Sequence, residues 1–275
     1  MTNICIVTGG GSGMGLSTAK LMGKDHHIIL VGRTVSKLEN ALKELHGLSI
    51  EAETFPCDIS DRNSVFALVN HAQTQGTVKA VIHAAGMSPH MGNGEVIFNV
   101  NAMGTIYINE EFAKVMPAGS CILNVSSMSA YMVPQDRIPR DVYKLSLSDT
   151  AAFGQAMIGM LGAVPEEMAS NMAYTISKNF VIWYSEKAAC VHGKKGIRIL
   201  SVSPGTFRTP MGEIEGEQAS AIALSGALGR VGEPEEIAEL MAFLASEKCS
   251  YLTGVDIVCD GGTIAAMHMK AELEA

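Results

Sequence analysis

The sequence predicts an α/β protein with a doubly wound, Rossmann-like parallel sheet of about seven strands. Three observations lead to this fold class. Short runs rich in β-branched residues alternate with amphipathic stretches, a glycine-rich turn at residues 8–15 follows the first run, and hydrophobic residues are spread along the whole chain. Such sheets bind ligands at the carboxyl ends of their strands. The 275 residues contain no linker-like stretch or internal repeat, so we expect a single dinucleotide-binding catalytic domain over residues 1–275.

The predicted strands are the short apolar runs. In chain order they are residues 3–8, 27–31, 50–55, 78–83, 121–125, 197–202 and 255–259. Amphipathic patterns predict helices from about residue 14 and over residues 36–45, 64–73 and 235–244. The last of these follows a proline and has acids in its first turn, as helix starts often do.

The composition limits the partners and the compartment that we expect. A formal net charge of −8, with scattered Lys and Arg, argues against nucleic acid or an anionic membrane as a partner. The six cysteines show no C-x-x-C spacing, so no metal site is expected, and such thiols suit a reducing compartment. The sequence shows no signal-peptide pattern and no apolar run of membrane-spanning length, so we expect a cytoplasmic protein.

Tyr174 and Lys178 are the most informative pair in the chain. Their spacing of four places phenol and ammonium on the same face of a helix. We expect the positive charge to lower the pKa of Tyr174 from about 10 towards working pH. A tyrosine tuned in this way can give a proton to a carbonyl oxygen or take one from an alcohol. Taken alone, the pair would sooner be a surface pair of no consequence, because Tyr-x-x-x-Lys is common by chance; the other motifs of the chain favour the catalytic interpretation.

The glycine-rich turn supplies a place for a dinucleotide. Gly9, Gly13 and Gly15 lie between the first predicted strand and the first predicted helix. Backbone N–H groups and a helix N-terminus at this point can meet a pyrophosphate. Together with the Tyr174 and Lys178 pair, this turn indicates hydride-transfer chemistry.

Arg33 indicates which dinucleotide is bound. It follows Gly32 after the second predicted strand, where chains that bind NAD usually carry an Asp or Glu for the ribose hydroxyl. A guanidinium instead suits a phosphate, so we expect NADP(H) to be preferred over NAD(H). The alternative is that Arg33 only solvates a loop. Ser12 stands where a basic residue would have strengthened a phosphate site.

In their order along nearly the whole chain, these motifs resemble the short-chain dehydrogenase/reductase family. Residues 8–15 match its Thr-Gly-x-x-x-Gly-x-Gly turn, and residues 83–86 stand for its Asn-Asn-Ala-Gly with a departure at the first two positions. The resemblance implies a catalytic tetrad and a set of cofactor contacts. The tetrad is Asn101, Ser127, Tyr174 and Lys178. The cofactor contacts are Gly9, Gly11, Ser12, Gly13, Met14, Arg33, Asp58, Ile59, Ala84, Ala85, Gly86, Tyr174, Lys178, Pro204, Gly205, Phe207 and Thr209.

The resemblance also implies a role for each member of the tetrad. Tyr174 is the general acid in reduction and the base in oxidation, and Lys178 holds the nicotinamide ribose. Ser127 hydrogen-bonds the substrate oxygen, with Ser126 as a rival for that role. Asn101 anchors a water that links Lys178 to solvent.

Residues 131–172 depart from the usual family pattern. Ser127 and Tyr174 are 47 positions apart, whereas most members bridge them with a far shorter loop. We expect a small helical insertion here, with a helix start at Pro165. It could act as a lid, as a substrate wall, or as a block on the face that family tetramers use for pairing. A homo-oligomer is therefore expected, with a dimer favoured over a tetramer.

The insertion, residues 86–89 and residues 258–264 resemble the corresponding segments of bacterial 3α-hydroxysteroid dehydrogenase/carbonyl reductases. That resemblance favours an oxidoreductase that interconverts a secondary alcohol and a ketone on an apolar, steroid-like substrate. Those relatives typically carry an acid after the second strand and use NAD, whereas Gly32 and Arg33 here favour NADP(H). One alternative is a β-ketoacyl or small-carbonyl reductase. Another is a non-catalytic NADP-sensing regulator.

Overall fold

The computed structural model describes residues 2–274, in which seven strands form one parallel sheet. The strands are β1 (Asn3–Thr8), β2 (His27–Gly32), β3 (Ala52–Pro56), β4 (Thr77–His83), β5 (Cys121–Val125), β6 (Arg198–Pro204) and β7 (Asp256–Cys259). Their spatial order is β3-β2-β1-β4-β5-β6-β7, with every neighbouring pair parallel. The predicted fold class is confirmed, and each predicted strand begins and ends within two residues of an observed one.

Helices cover both faces of the sheet. They are α1 (Gly13–Met22), α2 (Val35–Gly47), α3 (Arg62–Gln75), α4 (Gly94–Phe98), α5 (Gly104–Val115), α6 (Arg140–Leu145), α7 (Thr150–Gly162), α8 (Glu166–His192), α9 (Pro210–Leu224), α10 (Pro234–Ala245) and α11 (Thr263–Glu274). A π-helical turn, Asn99–Met103, joins α4 to α5. Within residues 2–274, none of these helices is both long and apolar enough to cross a membrane.

Side chains of the central strands alternate between two hydrophobic cores. Along β1, Ile4 and Ile6 belong to the core shared with α3, α5 and α8, whereas Cys5 and Val7 belong to the core shared with α1, α2 and α10. Since successive strand residues point to opposite faces, a strand buried on both faces must be apolar throughout. This explains why β1 and its neighbours are continuous hydrophobic runs.

The sheet order creates a crevice at its carboxyl edge. β1 lies between β2 and β4, so the chain leaves β1 and β4 in opposite directions along the sheet. This is the topological switch point at which doubly wound sheets bind their ligands.

Residues 131–172 contribute α6, α7 and the start of α8, and they pack against the outer side of α8. The hydroxyl of Tyr143 donates to the carbonyl of Ile176 at 3.0 Å. The ring of Phe153 stacks on that of Phe180, with 4.6 Å between the centroids. The segment is therefore tied to the helix that carries Tyr174. That it is an insertion, and that the chain is one domain, stay predictions.

Candidate active site

A cavity of about 470 Å³ opens at the carboxyl edge of the sheet. Loops after β1, β2, β4, β5 and β6 line it, together with α8 and α9. Every residue predicted for the site lines this cavity except Gly11 and Asn101. Of the described side chains in residues 131–172, those of Met132 and Asn171 reach it. The middle of that segment lies elsewhere, against α8.

The glycine turn packs so closely against neighbouring backbone that it has no room for side chains at Gly9 and Gly15. Gly9 and Gly13 have positive φ angles of +67° and +55°. A Cβ on Gly9 would lie 2.9 Å from the backbone of Ala84, and one on Gly15 would lie 2.5 Å from the carbonyl oxygen of Gly9. Only glycine fits these positions without displacing backbone. Gly11 packs away from the cavity, because a Cβ there would meet the Cβ of Lys37 at 3.2 Å.

The N-terminus of α1 fits an anionic group. Ser12 is the N-cap residue, but its side chain makes no capping hydrogen bond, and the first turn of α1 contains no acid in its sequence. The first backbone N–H groups of a helix lack partners within the helix and carry the positive end of its dipole. The residues present therefore fit a dinucleotide pyrophosphate at this point.

Two cationic side chains flank the far end of the cavity. Arg33, after β2, and Lys37, in the first turn of α2, both line it and are both exposed. Sequence reasoning missed Lys37, although its spacing of four from Arg33 was a usable signal. Nearby, burial raises the pKa of Asp58, but hydrogen bonds from Ser60 and the charge of Arg33 outweigh it and lower the pKa below its ordinary value. A carboxylate is thus held close to the Arg33 guanidinium.

Tyr174, Ser127 and Lys178 meet at the inner end of the cavity. Ser127 lies at the end of β5, where its Oγ accepts a hydrogen bond from the backbone N–H of Ser129 at 3.2 Å. The Nζ of Lys178 donates to the carbonyl of Val125 at 2.9 Å and lies 6.0 Å from the centroid of the Tyr174 ring. The hydroxyl of Ser126 donates to the backbone carbonyl of Lys178 at 2.7 Å. Ser126 is therefore committed to the backbone, whereas Ser127 is close enough to Tyr174 to influence its pKa.

The lowered pKa predicted for Tyr174 is wrong. Tyr174 is half-buried and lines the cavity, and the surrounding protein desolvates its phenol. That burial raises the pKa of Tyr174 to about 12, and the charge of Glu215 raises it further, against the opposing effect of Ser127 and Ser129. Helical spacing does place Lys178 near the ring, but burial dominates.

Burial also shifts the pKa of Lys178, but it lowers this pKa, because burial disfavours the charged form of each group. Burial lowers the pKa of its ammonium to about 8, although the charge of Glu215 acts in the other direction. At neutral pH the site therefore holds a protonated phenol beside an ammonium that gives up its proton easily. This pairing suits a tyrosine that donates a proton.

Asn101 lies behind the cavity, in the π-helical turn. Its Oδ1 accepts from the backbone N–H of Met87 at 2.8 Å, and its Nδ2 donates to the carbonyl of Met87 at 3.0 Å and to Ser177 Oγ at 3.2 Å. A Cβ on Gly86 would lie 3.1 Å from Asn101 Oδ1 and 3.2 Å from Lys178 Nζ. The missing side chain at Gly86 thus leaves space between the amide and the ammonium. The water-anchoring role of Asn101 stays a prediction.

His83 lies beneath the site as a neutral imidazole that links neighbouring elements by hydrogen bonds. Its two ring nitrogens form hydrogen bonds with Thr8 Oγ1 at 2.9 Å and with Thr105 Oγ1 at 3.2 Å. Burial, with the charge of Lys178, lowers the pKa of His83 to about 3. The imidazole therefore connects β1, β4 and α5 beneath the cavity.

Further polar residues outside the predicted set line the cavity, among them His90, Ser129 and Glu215. The Ser129 hydroxyl is buried and lies close enough to the Tyr174 phenol to lower its pKa. The tertiary fold alone brings these residues to the site, because no local motif marks them.

Two family models match the chain. The model described as short chain dehydrogenase matches residues 3–139, and the model described as Enoyl-(Acyl carrier protein) reductase matches residues 154–263. The residues between the two matches, 140–153, lie within the segment 131–172 described above.

Relatives match over nearly the full length. The chain is 29% identical over 270 residues to the short-chain dehydrogenase/reductase bsc3 of Alternaria brassicicola, covering 96% of this chain and 97% of the relative. It is 28% identical over 275 residues to a 3-oxoacyl-[acyl-carrier-protein] reductase of Thermotoga maritima, covering 95% and 97%. A short-chain dehydrogenase of Burkholderia cenocepacia, solved in complex with NADP, superposes with a TM-score of 0.75 at 21% identity, covering 94% of this chain and 97% of that one. At that identity, the structure establishes the shared fold.

Proposed function

We propose that this chain, which belongs to the short-chain dehydrogenase/reductase family, uses NADP(H) to interconvert a secondary alcohol and a ketone. Family membership makes it an oxidoreductase. One observation carries the finer statement: a single cavity has Tyr174, Ser127 and Lys178 at one end and two cations, Arg33 and Lys37, at the other. This arrangement suits a cofactor with a reacting ring at one end and a phosphate at the other.

The residues of the chain provide proton transfer and charge stabilisation. When bound, NADPH supplies hydride to the carbonyl carbon. Tyr174, protonated at neutral pH, gives its phenolic proton to the carbonyl oxygen. The Ser127 hydroxyl donates a hydrogen bond to the same oxygen as negative charge develops there. The Lys178 ammonium stabilises the phenolate that remains and restores its proton.

The preference for NADP(H) rests on charge. Arg33 and Lys37 line the cavity at the end of β2 and the start of α2, where a ribose 2′-phosphate would lie in this fold. A guanidinium and an ammonium together match a phosphate through charge-assisted hydrogen bonds. The position before Arg33 is Gly32, so the chain lacks the usual acid that would bind a ribose hydroxyl there.

An apolar substrate is supported by the cavity lining near Tyr174. Five methionines contribute to the lining, and unbranched thioether side chains adapt to irregular apolar ligands. They are Met87, Met91, Met128, Met132 and Met211. This lining favours a bulky ring ketone of the steroid-like type. The similarity to a 3-oxoacyl-[acyl-carrier-protein] reductase favours the second candidate, a β-ketoacyl thioester.

The test is the loss of nicotinamide absorbance at 340 nm, with NADPH and NADH in parallel. The panel would contain a steroid ketone, a cyclohexanone and a β-ketoacyl thioester. We expect oxidation of NADPH with the ring ketones, faster than oxidation of NADH. A rate with the thioester alone would move the function to the second candidate. Tight binding of NADPH without turnover of any ketone would support a non-catalytic sensor instead.

We also propose a homodimer in place of the tetramer common in the family. The proposal is supported by the rings of Tyr143 and Phe153, which cover part of α8, because we infer that this cover blocks the face that family tetramers use for pairing. Light scattering coupled to size-exclusion chromatography tests this, with twice the chain mass of 29.1 kDa expected. A tetrameric mass would contradict it.

A further inference from the structure

Glu215 is the acidic residue on the cavity-facing side of α9. Met211, which precedes it, and Gln218 and Ile222, which follow it in the same element, also line the cavity. Its neighbours Glu213 and Glu217 are exposed and do not line the cavity. The helix is interrupted directly after Glu215, since Gly216 has a φ of +71° and a ψ of −154°. Glu215 is therefore half-buried at the wall of the active site while the other two acids face solvent.

The Glu215 carboxylate has no ionic partner in the protein. None of the ion pairs formed within residues 2–274 includes it. The charged or titratable groups that influence it lie around the same cavity: Lys178 and Tyr174 on α8, and His90 in the turn after β4. Burial raises the pKa of Glu215, whereas His90 and Lys178 lower it. A half-buried carboxylate without a direct partner is costly, so a hydrogen-bond donor on a ligand would stabilise it.

The surroundings of Glu215 define what such a ligand looks like. The walls on either side are apolar, with Met91, Met211 and Ile222 lining the same part of the cavity. Ser127 and Tyr174 take the reacting oxygen at the inner end. A ligand that satisfies both regions has an apolar body, an oxygen at one end and a polar donor elsewhere.

We infer that Glu215 selects substrates that carry a hydroxyl or ammonium group away from the reacting carbon, and that it disfavours substrates with a carboxylate or phosphate in that place. This inference rests on the proposed alcohol and ketone chemistry of the same site. It narrows the substrate class from an apolar ketone to an apolar ketone with a remote hydrogen-bond donor. Glu215 thereby acts on specificity through its charge, in addition to its effect on the pKa values of Tyr174 and Lys178.

The test uses ring ketones that differ in one substituent. These are 4-aminocyclohexanone, 4-hydroxycyclohexanone, 4-methylcyclohexanone and 4-oxocyclohexanecarboxylate. With NADPH, we expect kcat/KM to be at least about tenfold higher for the ammonium compound than for the carboxylate. Glu215→Gln keeps the shape and removes the charge, so it should reduce this ratio by about tenfold or more, mainly through KM. Glu217→Gln, a matched change on the exposed side of α9, should leave the ratio as it is.

A binding measurement separates this inference from the proposed function. Calorimetric titration of the ammonium and carboxylate compounds into the NADP⁺ complex gives a ratio of dissociation constants that does not depend on turnover. Turnover with ratios that Glu215→Gln does not change would overturn the inference and leave the proposed function in place. A binding ratio that collapses in Glu215→Gln, without turnover of any compound, would support the inference and refute the proposed chemistry. Binding ratios that are equal in both proteins would overturn the inference whatever the turnover.

Discussion

Removing the two cations at the far end of the cavity should change the preference between NADPH and NADH, which lacks only the ribose 2′-phosphate. Arg33 and Lys37 line the cavity from the end of β2 and the first turn of α2. Charge-assisted hydrogen bonds contribute about 1.5–3 kcal/mol each. Both side chains are exposed, so solvent screening places their contributions near the lower end, at about 1.5 kcal/mol, or about tenfold in affinity for each residue. The double change to Ala should therefore approach a hundredfold loss, about 3 kcal/mol, if the two contributions add.

The assay is a fluorescence titration of NADPH and NADH into the native protein, Arg33→Ala, Lys37→Ala and the double variant. NADH lacks the phosphate, so its dissociation constant should change by less than about twofold. Lys43→Ala is the matched control, because Lys43 is an exposed lysine on the same helix, α2, and does not line the cavity. Raising the salt concentration should reduce the NADPH preference of the native protein. Equal weakening of NADPH and NADH by Arg33→Ala would refute the phosphate role.

Three further predictions concern catalysis and packing. Tyr174→Phe should lower kcat for ketone reduction by about 10²–10⁴-fold while NADPH affinity stays nearly unchanged, because it removes only the proton donor; retained turnover in that variant would contradict the assignment. With the Lys178 pKa at about 8 and the Tyr174 pKa at about 12, Tyr174 stays protonated while Lys178 loses its charge as the pH rises through about 8. The reduction rate in a pH–rate profile should therefore fall from pH 7 to pH 9, and a rise over that range would oppose this account. Phe153→Ala should lower the free energy of unfolding by about 3–5 kcal/mol, since the fully buried ring stacks on Phe180; a chemical-denaturation midpoint equal to that of the native protein would show that residues 131–172 do not pack as described.

The fold could be predicted well from the sequence because its signals are local. Strands buried on both faces are continuous apolar runs, so β1 and β5 were predicted at their observed boundaries. The glycine turn is also a local signal, since positive φ at Gly9 and Gly13 leaves little choice of residue. The parallel sheet then brings the ends of separate strands to one edge, and so most of the predicted site residues converge on one cavity.

The electrostatics of the site could not be predicted in the same way. The spacing of Tyr174 and Lys178 indicated a lowered phenol pKa, but burial by distant segments of the chain determines the direction of the shift. Glu215 lines the cavity only because α9 packs over it. Glu213, Glu215 and Glu217 occupy alternate positions in the sequence, and this pattern does not show which of them faces the cavity. Which groups are buried, and which side chains of a helix face the cavity, depend on tertiary contacts that cannot be read from a single sequence.

The packing of residues 131–172 was also beyond the sequence. Helix starts and apolar residues predicted helices there, but three places remained open for the segment: over the cavity, beside it, or on the pairing face. The stack of Phe153 on Phe180 and the hydrogen bond from Tyr143 to Ile176 place it against α8. These tertiary contacts fix where the segment packs, and its role as a lid, a pocket wall or a block on the pairing face stays a prediction.

The central claim is hydride transfer to a carbonyl carbon with Tyr174 as the proton donor. The most direct measurement follows deuterium from NADPH labelled at C4 of the nicotinamide into the product of 4-methylcyclohexanone reduction, detected by mass spectrometry. We predict an alcohol one mass unit heavier than the product formed with unlabelled NADPH, and no such alcohol with Tyr174→Phe in the same time. If neither label position at C4 delivers deuterium to the alcohol, or if Tyr174→Phe forms the labelled alcohol at the native rate, the account is contradicted.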